Sequence, residues 1–399
     1  MRAPSLRLLL PVPLVIGLLL PFSPLRADAR PARPPEPSAA VEFGPQAAEL
    51  LAAAACGAGS PPAAIPPKLQ KTHCDFVKKA QDQYRERWIT PARAFFAQHV
   101  PADVPKKVVY PFAGGDLSTA LTVYPDADEI TTLSLEPAGD PRSLRALPRG
   151  ALGPAMEQVR KELRFLYVVN FSNTKNMIEA MRGGRLPAQL IFGLSALHLH
   201  GFELVGLRYF AINDDGSMRY LAQADVDAAG DPSKADAGRR NRIFNNIEIQ
   251  FRKPGSGRVQ VYRHIEANLD DNHLNKDPRV LRHLEAKGQV AGMTKAASYL
   301  LSWDAFSKIR GYLLGHVRWM VSDATGVAPK WGRSAGFEYE LWGTYEDAHM
   351  EAGRSIATEW RKEWAASPQR VLPFRFGYPD RKQRNHLVIM RRAGTPAAK

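Results

Sequence analysis

The chain has 399 residues, of which 45% are hydrophobic and 24% are charged. This composition is typical of a globular protein that buries a core, and it excludes wholesale disorder. The formal net charge of +14 indicates either attraction to anionic surfaces or a soluble surface over which basic residues are spread.

The N-terminus has the residue order of a secretory signal. Arg2 and Arg7 precede an apolar run over residues 8–20, and the small residues Ala27 and Ala29 follow. The run is broken by prolines and is shorter than the about 20 apolar residues that a membrane span needs. We therefore predict a cleaved signal peptide over residues 1–29 and a periplasmic or secreted mature protein without a transmembrane span. An uncleaved membrane anchor is the alternative. No cysteine lies near the cleavage point, so lipid attachment there has no acceptor.

Residues 30–65 are rich in proline and alanine and are predicted to be a linker, with one alanine-rich helix over residues 45–55. The two cysteines are Cys56 and Cys74. In an oxidising compartment a lone pair at this spacing favours a disulfide, and two unpaired thiols are the alternative. Residues 66–395 are predicted to form a single α/β globular domain, with an internal division near the polar stretch 225–241 as a variant.

The first half of this domain is predicted to begin with helices and to continue with a βαβ unit. Apolar and aromatic residues recur at helical spacing over residues 74–99, and Pro91 is expected to interrupt or restart that helix. Strands at 107–111 and 130–135 flank a glycine turn and a short helix. Such a unit implies two parallel strands.

The second half is predicted to contain two hairpins and several helices. Asn213-Asp-Asp-Gly and Pro254-Gly-Ser-Gly are the two hairpin turns, since each lies between alternating strands. The apolar stretch 187–199 fits either a helix or a strand. The other predicted elements are helices at 154–182, 277–287 and 304–318 and strands at 202–212, 218–222, 247–251, 259–265, 337–345 and 387–390.

The glycine turn is the segment most informative about chemistry. Glycines at a strand end let the backbone approach a ligand closely, and the following helix presents free amide donors. An acid at the end of the second strand can accept hydrogen bonds from ribose hydroxyls. Glu136 has this position, 21 residues after Gly115. The predicted cofactor-binding residues are Phe112, Gly114, Gly115, Asp116 and Glu136.

The segment Pro111-Phe-Ala-Gly-Gly-Asp116 resembles the first motif of S-adenosylmethionine-dependent methyltransferases. The resemblance implies a Rossmann-like (methyltransferase-like) core that carries additional hairpins and helices. Tyr110 replaces the acid that precedes Pro-Phe in that motif, Leu117 replaces its third glycine, and the catalytic Asn/Asp-Pro-Pro-Tyr tetrapeptide is absent from the chain. A plain βαβ turn that uses glycine for its geometry is the alternative, so the identity of any cofactor stays open.

Further phrases across most of the mature chain resemble a group of uncharacterised exported bacterial proteins. Three of them are Leu133-Ser-Leu-Glu-Pro-Ala-Gly139, Lys295-Ala-Ala-Ser-Tyr-Leu-Leu301 and Leu372-Pro-Phe-Arg-Phe-Gly-Tyr378. This resemblance implies export and a shared fold, and it implies no activity.

Histidines and a serine form weaker patterns. On a strand, His198 and His200 would face the same side as a metal-binding pair, although histidines in satisfied polar contacts are commoner and no metal is predicted. Gly193-Leu-Ser-Ala-Leu197 is half of the nucleophile elbow of hydrolases and lacks its second glycine. The candidates for a third metal ligand are His264, His273 and Glu266.

Two more segments have structural interpretations. The acidic loop with Asp270 and Asp271 is predicted to be a solvated turn that caps the next helix. Phe374, Phe376 and Tyr378 alternate with other residues, which predicts a strand whose aromatic face packs and whose other face is basic.

Two functional hypotheses follow. The first is an exported, envelope-associated protein that is non-catalytic or has a degenerate cofactor site. The second is a transferase-like enzyme that binds a nucleoside-type ligand at Gly114, Gly115 and Glu136.

The C-terminal tail suggests a partner. Residues 370–399 contain eight basic side chains and one acid, which predicts anionic cell-envelope material as the partner and no nucleic acid. The basic residues expected to bind it are Arg381, Lys382, Arg384, Arg391 and Arg392.

Overall fold

The computed structural model describes residues 39–169, 185–233, 243–345, 354–377 and 386–394. The predicted signal peptide, residues 30–38 of the predicted linker, and Arg381, Lys382 and Arg384 lie outside the described residues. None of the described helices combines the length and apolar composition that a bilayer crossing requires.

The chain from Ala39 onward belongs to the folded unit, which corrects the prediction that residues up to 65 form a linker. Helix α1, Gly44–Ala53, buries Ala47 and Leu50 in the main hydrophobic core. Its alanines allow this close packing, because they bury no polar group and lose no side-chain freedom. The predicted disulfide is confirmed, and Cys56–Cys74 joins the segment after α1 to the next helix.

That next region is one long, irregular helix. Helix α2, Pro67–Tyr84, continues through a π-helical segment, Arg85–Ile89, into helix α3, Thr90–His99. Pro91 lies in the first turn of α3, so the interruption predicted at this proline takes the form of the π-helical segment before it. Such segments often mark functional positions, and this one places the buried Trp88 against the end of the sheet.

The described strands form one mixed, ten-stranded sheet in the order β4-β3-β5-β6-β2-β1-β7-β8-β10-β9. The pairs β6–β2, β2–β1, β1–β7 and β7–β8 are parallel, and the flanking pairs are antiparallel. The strands are β1 Lys107–Pro111, β2 Glu129–Ser134, β3 Glu203–Ile212, β4 Met218–Tyr220, β5 Asn246–Arg252, β6 Val259–Glu266, β7 Val290–Met293, β8 Val317–Ser322, β9 Phe337–Gly343 and β10 His386–Arg392.

The predicted βαβ unit and both hairpins are confirmed. Strand β1 pairs in parallel with β2, and Val109 lies opposite Thr131. From β1 the chain builds outward through β2 to β6, and it then returns to the other side of β1 to add β7 and β8. The order therefore reverses between β1 and β7, the place where open parallel sheets leave a crevice at their carboxyl ends.

Helices cover both faces of the sheet. The sheet has a hydrophobic core on each face. Successive residues of β1 point to opposite faces, so Tyr110 joins the main core and Val109 joins the core on the other face. The remaining helices are α4 Leu117–Val123, α5 Ser143–Ala146, α6 Arg149–Arg164, α7 Ala188–Leu199, α8 Gln223–Ala228, α9 Asp271–Lys276, α10 Arg279–Glu285, α11 Ser307–His316, α12 Pro329–Ser334 and α13 Arg354–Ala366.

The late segments differ from their predictions. Phe374 and Phe376 are buried as predicted, but they lie in an irregular segment rather than on a strand. Arg391 and Arg392 are part of β10, between β8 and β9. Arg391 pairs with Glu338 at 2.8 Å, and Arg392 donates to the carbonyl of Ala335. These two arginines therefore hold the sheet edge together and are not part of a freely solvated tail.

Candidate functional site

The glycine turn lies at the carboxyl end of β1, beside the position where the strand order reverses. Phe112 has φ 59° and Gly114 has φ 52°, so both are in the left-handed region. A left-handed residue other than glycine costs about 1–3 kcal/mol and is commonest at functional positions. The amide of Ala113 donates to Leu133 at 3.0 Å, which fixes the turn to β2.

Gly115 is required by packing. A Cβ atom at this position would lie 2.2 Å from Cδ2 of Phe192 on α7, so the ring fills the space beside the glycine. Gln189, one turn earlier on α7, donates from Nε2 to the carbonyl of Gly114 at 2.7 Å. Backbone geometry and packing thus explain both glycines. Gly114 has a left-handed backbone conformation, and Gly115 allows the close approach of α7.

Asp116 is held by a dense set of contacts. It is the N-cap of α4, and its Oδ1 accepts from the Thr119 hydroxyl at 2.6 Å. Its Oδ2 accepts from Tyr110 at 3.1 Å and from the Lys295 ammonium at 2.9 Å. The carboxylate is therefore committed to internal partners and is not directed at a ligand.

Lys295 follows the carboxyl end of β7, so the Asp116–Lys295 ion pair spans the position where the strand order reverses. Both residues are at most 4% exposed. The ammonium also lies 5.9 Å from the ring centre of Trp88 and 5.7 Å from that of Phe376, within cation–π range. We call the space bounded by Asp116, Lys295, Trp88 and Phe376 the switch crevice.

Sequence reasoning missed Lys295 as a site residue. Its partner Asp116 is 179 residues away, and a lysine in a phrase such as Lys295-Ala-Ala-Ser carries no local signal of burial. The signal that could have found it is its place directly after a short apolar segment, where a parallel strand would present it at the carboxyl edge.

Glu136 lies just beyond the carboxyl end of β2 and is 6% exposed. Its backbone carbonyl contacts Nε2 of His264 at 2.7 Å, whereas among the described residues no donor contacts its carboxylate. Burial and the charge of Glu136 together raise the pKa of the nearby Glu266. This carboxylate can therefore accept hydrogen bonds from a ligand.

Further polar atoms near Glu136 also lack partners. In the described part of the chain, the buried Ser134 Oγ and Gln189 Oε1 have no hydrogen-bond partner. Ser134 precedes Glu136 by two residues on the same strand end. Both oxygens are buried, so of these groups the Glu136 carboxylate is the candidate for contact with a ligand.

A cavity of about 350 Å³ lies beyond the end of β6. It is lined by Glu266, Asn245 and Arg279, and by neither glycine of the turn. Of the predicted site residues, Phe112, Gly114, Gly115 and Asp116 lie together in the turn. Glu136 lies beyond the end of the neighbouring strand, β2.

The other sequence candidates have structural roles. His198 and His200 lie in the last turn and at the C-cap of a helix, α7, rather than on a strand, and no group of three metal-binding side chains occurs among the described residues. Ser195 lies inside α7 and accepts from Tyr167 at 2.7 Å, so it is not at a strand-to-helix elbow. Asp270 caps α9 as predicted, since its side chain accepts from the amide of His273.

Comparison of the chain with protein-family models, curated proteins and solved structures found no match.

Proposed function

We propose that this protein is an exported, envelope-associated, Rossmann-like α/β protein that acts by binding and has lost the space for a group-transfer reaction. The observation that carries the proposal is the buried Asp116–Lys295 pair at the position where ligands enter doubly wound sheets. A cofactor in the switch crevice would have to displace an ion pair and two aromatic side chains.

The strand order supports the Rossmann-like part of the proposal. The five parallel strands can be numbered 1 to 5 in chain order, as β1, β2, β6, β7 and β8. Across the sheet their order is then 3-2-1-4-5. This order matches the first five strands of a doubly wound dinucleotide-binding sheet. The segment that resembles the first methyltransferase motif begins at the last residue of the first of these strands, which is compatible with the proposal.

The Cys56–Cys74 disulfide supports the export part. Disulfides persist in the periplasm and outside the cell, and they are rare in the reducing cytoplasm. Together with the signal-like N-terminus, this bond favours a periplasmic or secreted mature protein.

A second candidate function is the binding of a nucleoside-type ligand at Glu136, in a transferase-like enzyme. It is favoured by the carboxylate of Glu136, which is nearly buried and has no described donor. Such a ligand would contact Glu136, outside the switch crevice.

A thermal-shift experiment separates the two candidates. We expect S-adenosylmethionine, S-adenosylhomocysteine and adenosine at millimolar concentration to leave the unfolding midpoint of the wild type unchanged. A ligand at about 100 times its Kd would stabilise the fold by about 2.7 kcal/mol. A midpoint rise that is lost in Glu136→Gln and kept in the matched surface variant Glu157→Gln would overturn the binding-only proposal in favour of the nucleoside site.

A further inference from the structure

A second cavity, of about 700 Å³, lies at the opposite edge of the sheet from the glycine turn. It is formed by α3, the segment that leads into β1, the end of α4 and the β5–β6 hairpin. Its volume is within the range of about 300–1,000 Å³ that small-molecule sites occupy. The apolar part of its wall includes Phe96, Val100, Val104 and Phe202.

The charged residues of the wall are three cations, Arg93, Lys106 and Lys253, and one carboxylate, Asp126. Lys253 is already paired with Asp126 at 2.9 Å. Arg93 and Lys106 also line the cavity. Neither forms a salt bridge among the described residues, although Lys253 and, to a smaller extent, Lys106 lower the pKa of Asp126. Two positive charges beside an apolar wall are complementary to a molecule with an anionic head and an apolar chain.

Arg93 is held in place by a neutral histidine. Its Nη2 donates to Nδ1 of His200 at 2.6 Å, and Nε2 of His200 contacts Ser118 Oγ at 2.9 Å. Burial, with the charges of Arg93 and Arg85, lowers the pKa of His200 to about 3, so the ring is uncharged at neutral pH. Nδ1 is then the acceptor, and Nε2–H donates to the serine.

This contact uses one of the five guanidinium N–H donors and leaves the others for an anion. Because His200 and Ser118 fix the guanidinium, little additional side-chain entropy is lost when an anion binds. The cavity therefore combines three features of an anion-binding site, which are a fixed cation, a second cation and an apolar enclosure.

We propose that this cavity binds an amphiphilic carboxylate, with the carboxylate on Arg93 and Lys106 and the acyl chain against Phe96, Val104 and Phe202. The site is separate from the glycine turn, and the inference does not depend on the function proposed above.

The test is isothermal titration of the mature protein with decanoate, and with decanol as the ligand that lacks the charge. We expect decanoate to bind with a micromolar Kd and decanol at least about tenfold more weakly, as the loss of a charge-assisted hydrogen bond predicts. Arg93→Gln should weaken decanoate binding by about tenfold or more and leave decanol binding nearly unchanged. Arg87→Gln, an exposed arginine two turns earlier, is the matched control and should bind like the wild type.

A second variant blocks the enclosure without touching the charges. Ala97 is exposed and lines the cavity, so Ala97→Trp should fill it and remove the binding of both ligands while the unfolding midpoint stays near that of the wild type. Absence of decanoate binding to the wild type at about 1 mM, where a site of this type would be saturated, would overturn the proposal. Equal binding of decanoate to the wild type and to Ala97→Trp would also overturn it.

Discussion

The buried Asp116–Lys295 pair can be broken from either side, and the two substitutions should not be equivalent. Lys295→Met removes the ammonium and keeps most of the side-chain volume, and Asp116 then still accepts from Tyr110 and Thr119. Asp116→Asn keeps a good N-cap residue for α4 and an oxygen that can accept from Lys295, but it leaves the buried ammonium without its counter-charge.

Removal of one partner from a buried ion pair costs about 3–5 kcal/mol, because the other charge stays desolvated. We expect Lys295→Met to lie at the lower end of this range and Asp116→Asn at the upper end. Replacement of both residues removes both charges, so the double variant should be more stable than the sum of the single losses predicts, by about 1–3 kcal/mol.

The assay is urea unfolding of the wild type, both single variants and the double variant, analysed as a double-mutant cycle. Lys71→Met is the control, since the Lys71–Asp75 pair is 77% and 66% exposed and should contribute at most about 1 kcal/mol. If Lys295→Met lowered the free energy of unfolding no more than Lys71→Met does, the pair would not be buried as described and the reasoning would fail.

Three other predictions concern stability. Replacement of Cys56 and Cys74 by serine should lower the free energy of unfolding by about 3 kcal/mol, because the disulfide closes a loop with a sequence separation of 18. Calorimetry of the oxidised, reduced and serine forms measures this loss, and equal unfolding midpoints would contradict the prediction. Gly115→Ala should cost about 1–3 kcal/mol by overpacking against Phe192, and the loss should shrink when Phe192→Ala is combined with it, as denaturant unfolding would show. Burial opposes ionisation of Glu129, but the charges of Lys287 and Arg263 outweigh it and lower the pKa of this carboxyl to about 2. The ionised carboxylate should therefore contribute about 3 kcal/mol to the free energy of unfolding. This contribution is present above pH 4.5 and is lost as the pH falls towards 2. The wild type should therefore lose more stability than Glu129→Gln between pH 5 and pH 2, and parallel acid limbs would refute this assignment.

Elements with strong local signals could be predicted from the sequence. The glycine turn between two apolar strands predicted the parallel β1–β2 pair, and the Asn213 and Pro254 turns predicted the hairpins. Helix α7 stayed ambiguous because almost all of its residues are buried, and a helix that is apolar all round has no periodicity to detect. The sequence around helix α1 predicts a linker because local composition cannot show that an alanine-rich helix packs against a distant strand.

The site was only partly accessible to sequence reasoning for a related reason. The spacing from Gly115 to Glu136 follows from a local βαβ unit, so both residues could be predicted. The partners that determine what the turn does, Phe192 and Lys295, come from distant parts of the chain. Their contacts depend on the sheet order and on helix packing, and no local pattern encodes either.

The accessibility of Lys295 tests most directly whether the switch crevice is closed. Brief treatment of the native protein with an amine-acetylating reagent, followed by peptide mass spectrometry, compares this lysine with the exposed Lys68 and Lys253. A closed crevice predicts that Lys295, 4% exposed and paired with Asp116, stays unmodified until the protein is unfolded, whereas Lys68 and Lys253 react at once. Acetylation of Lys295 in the folded protein at the rate of these two lysines would contradict the account.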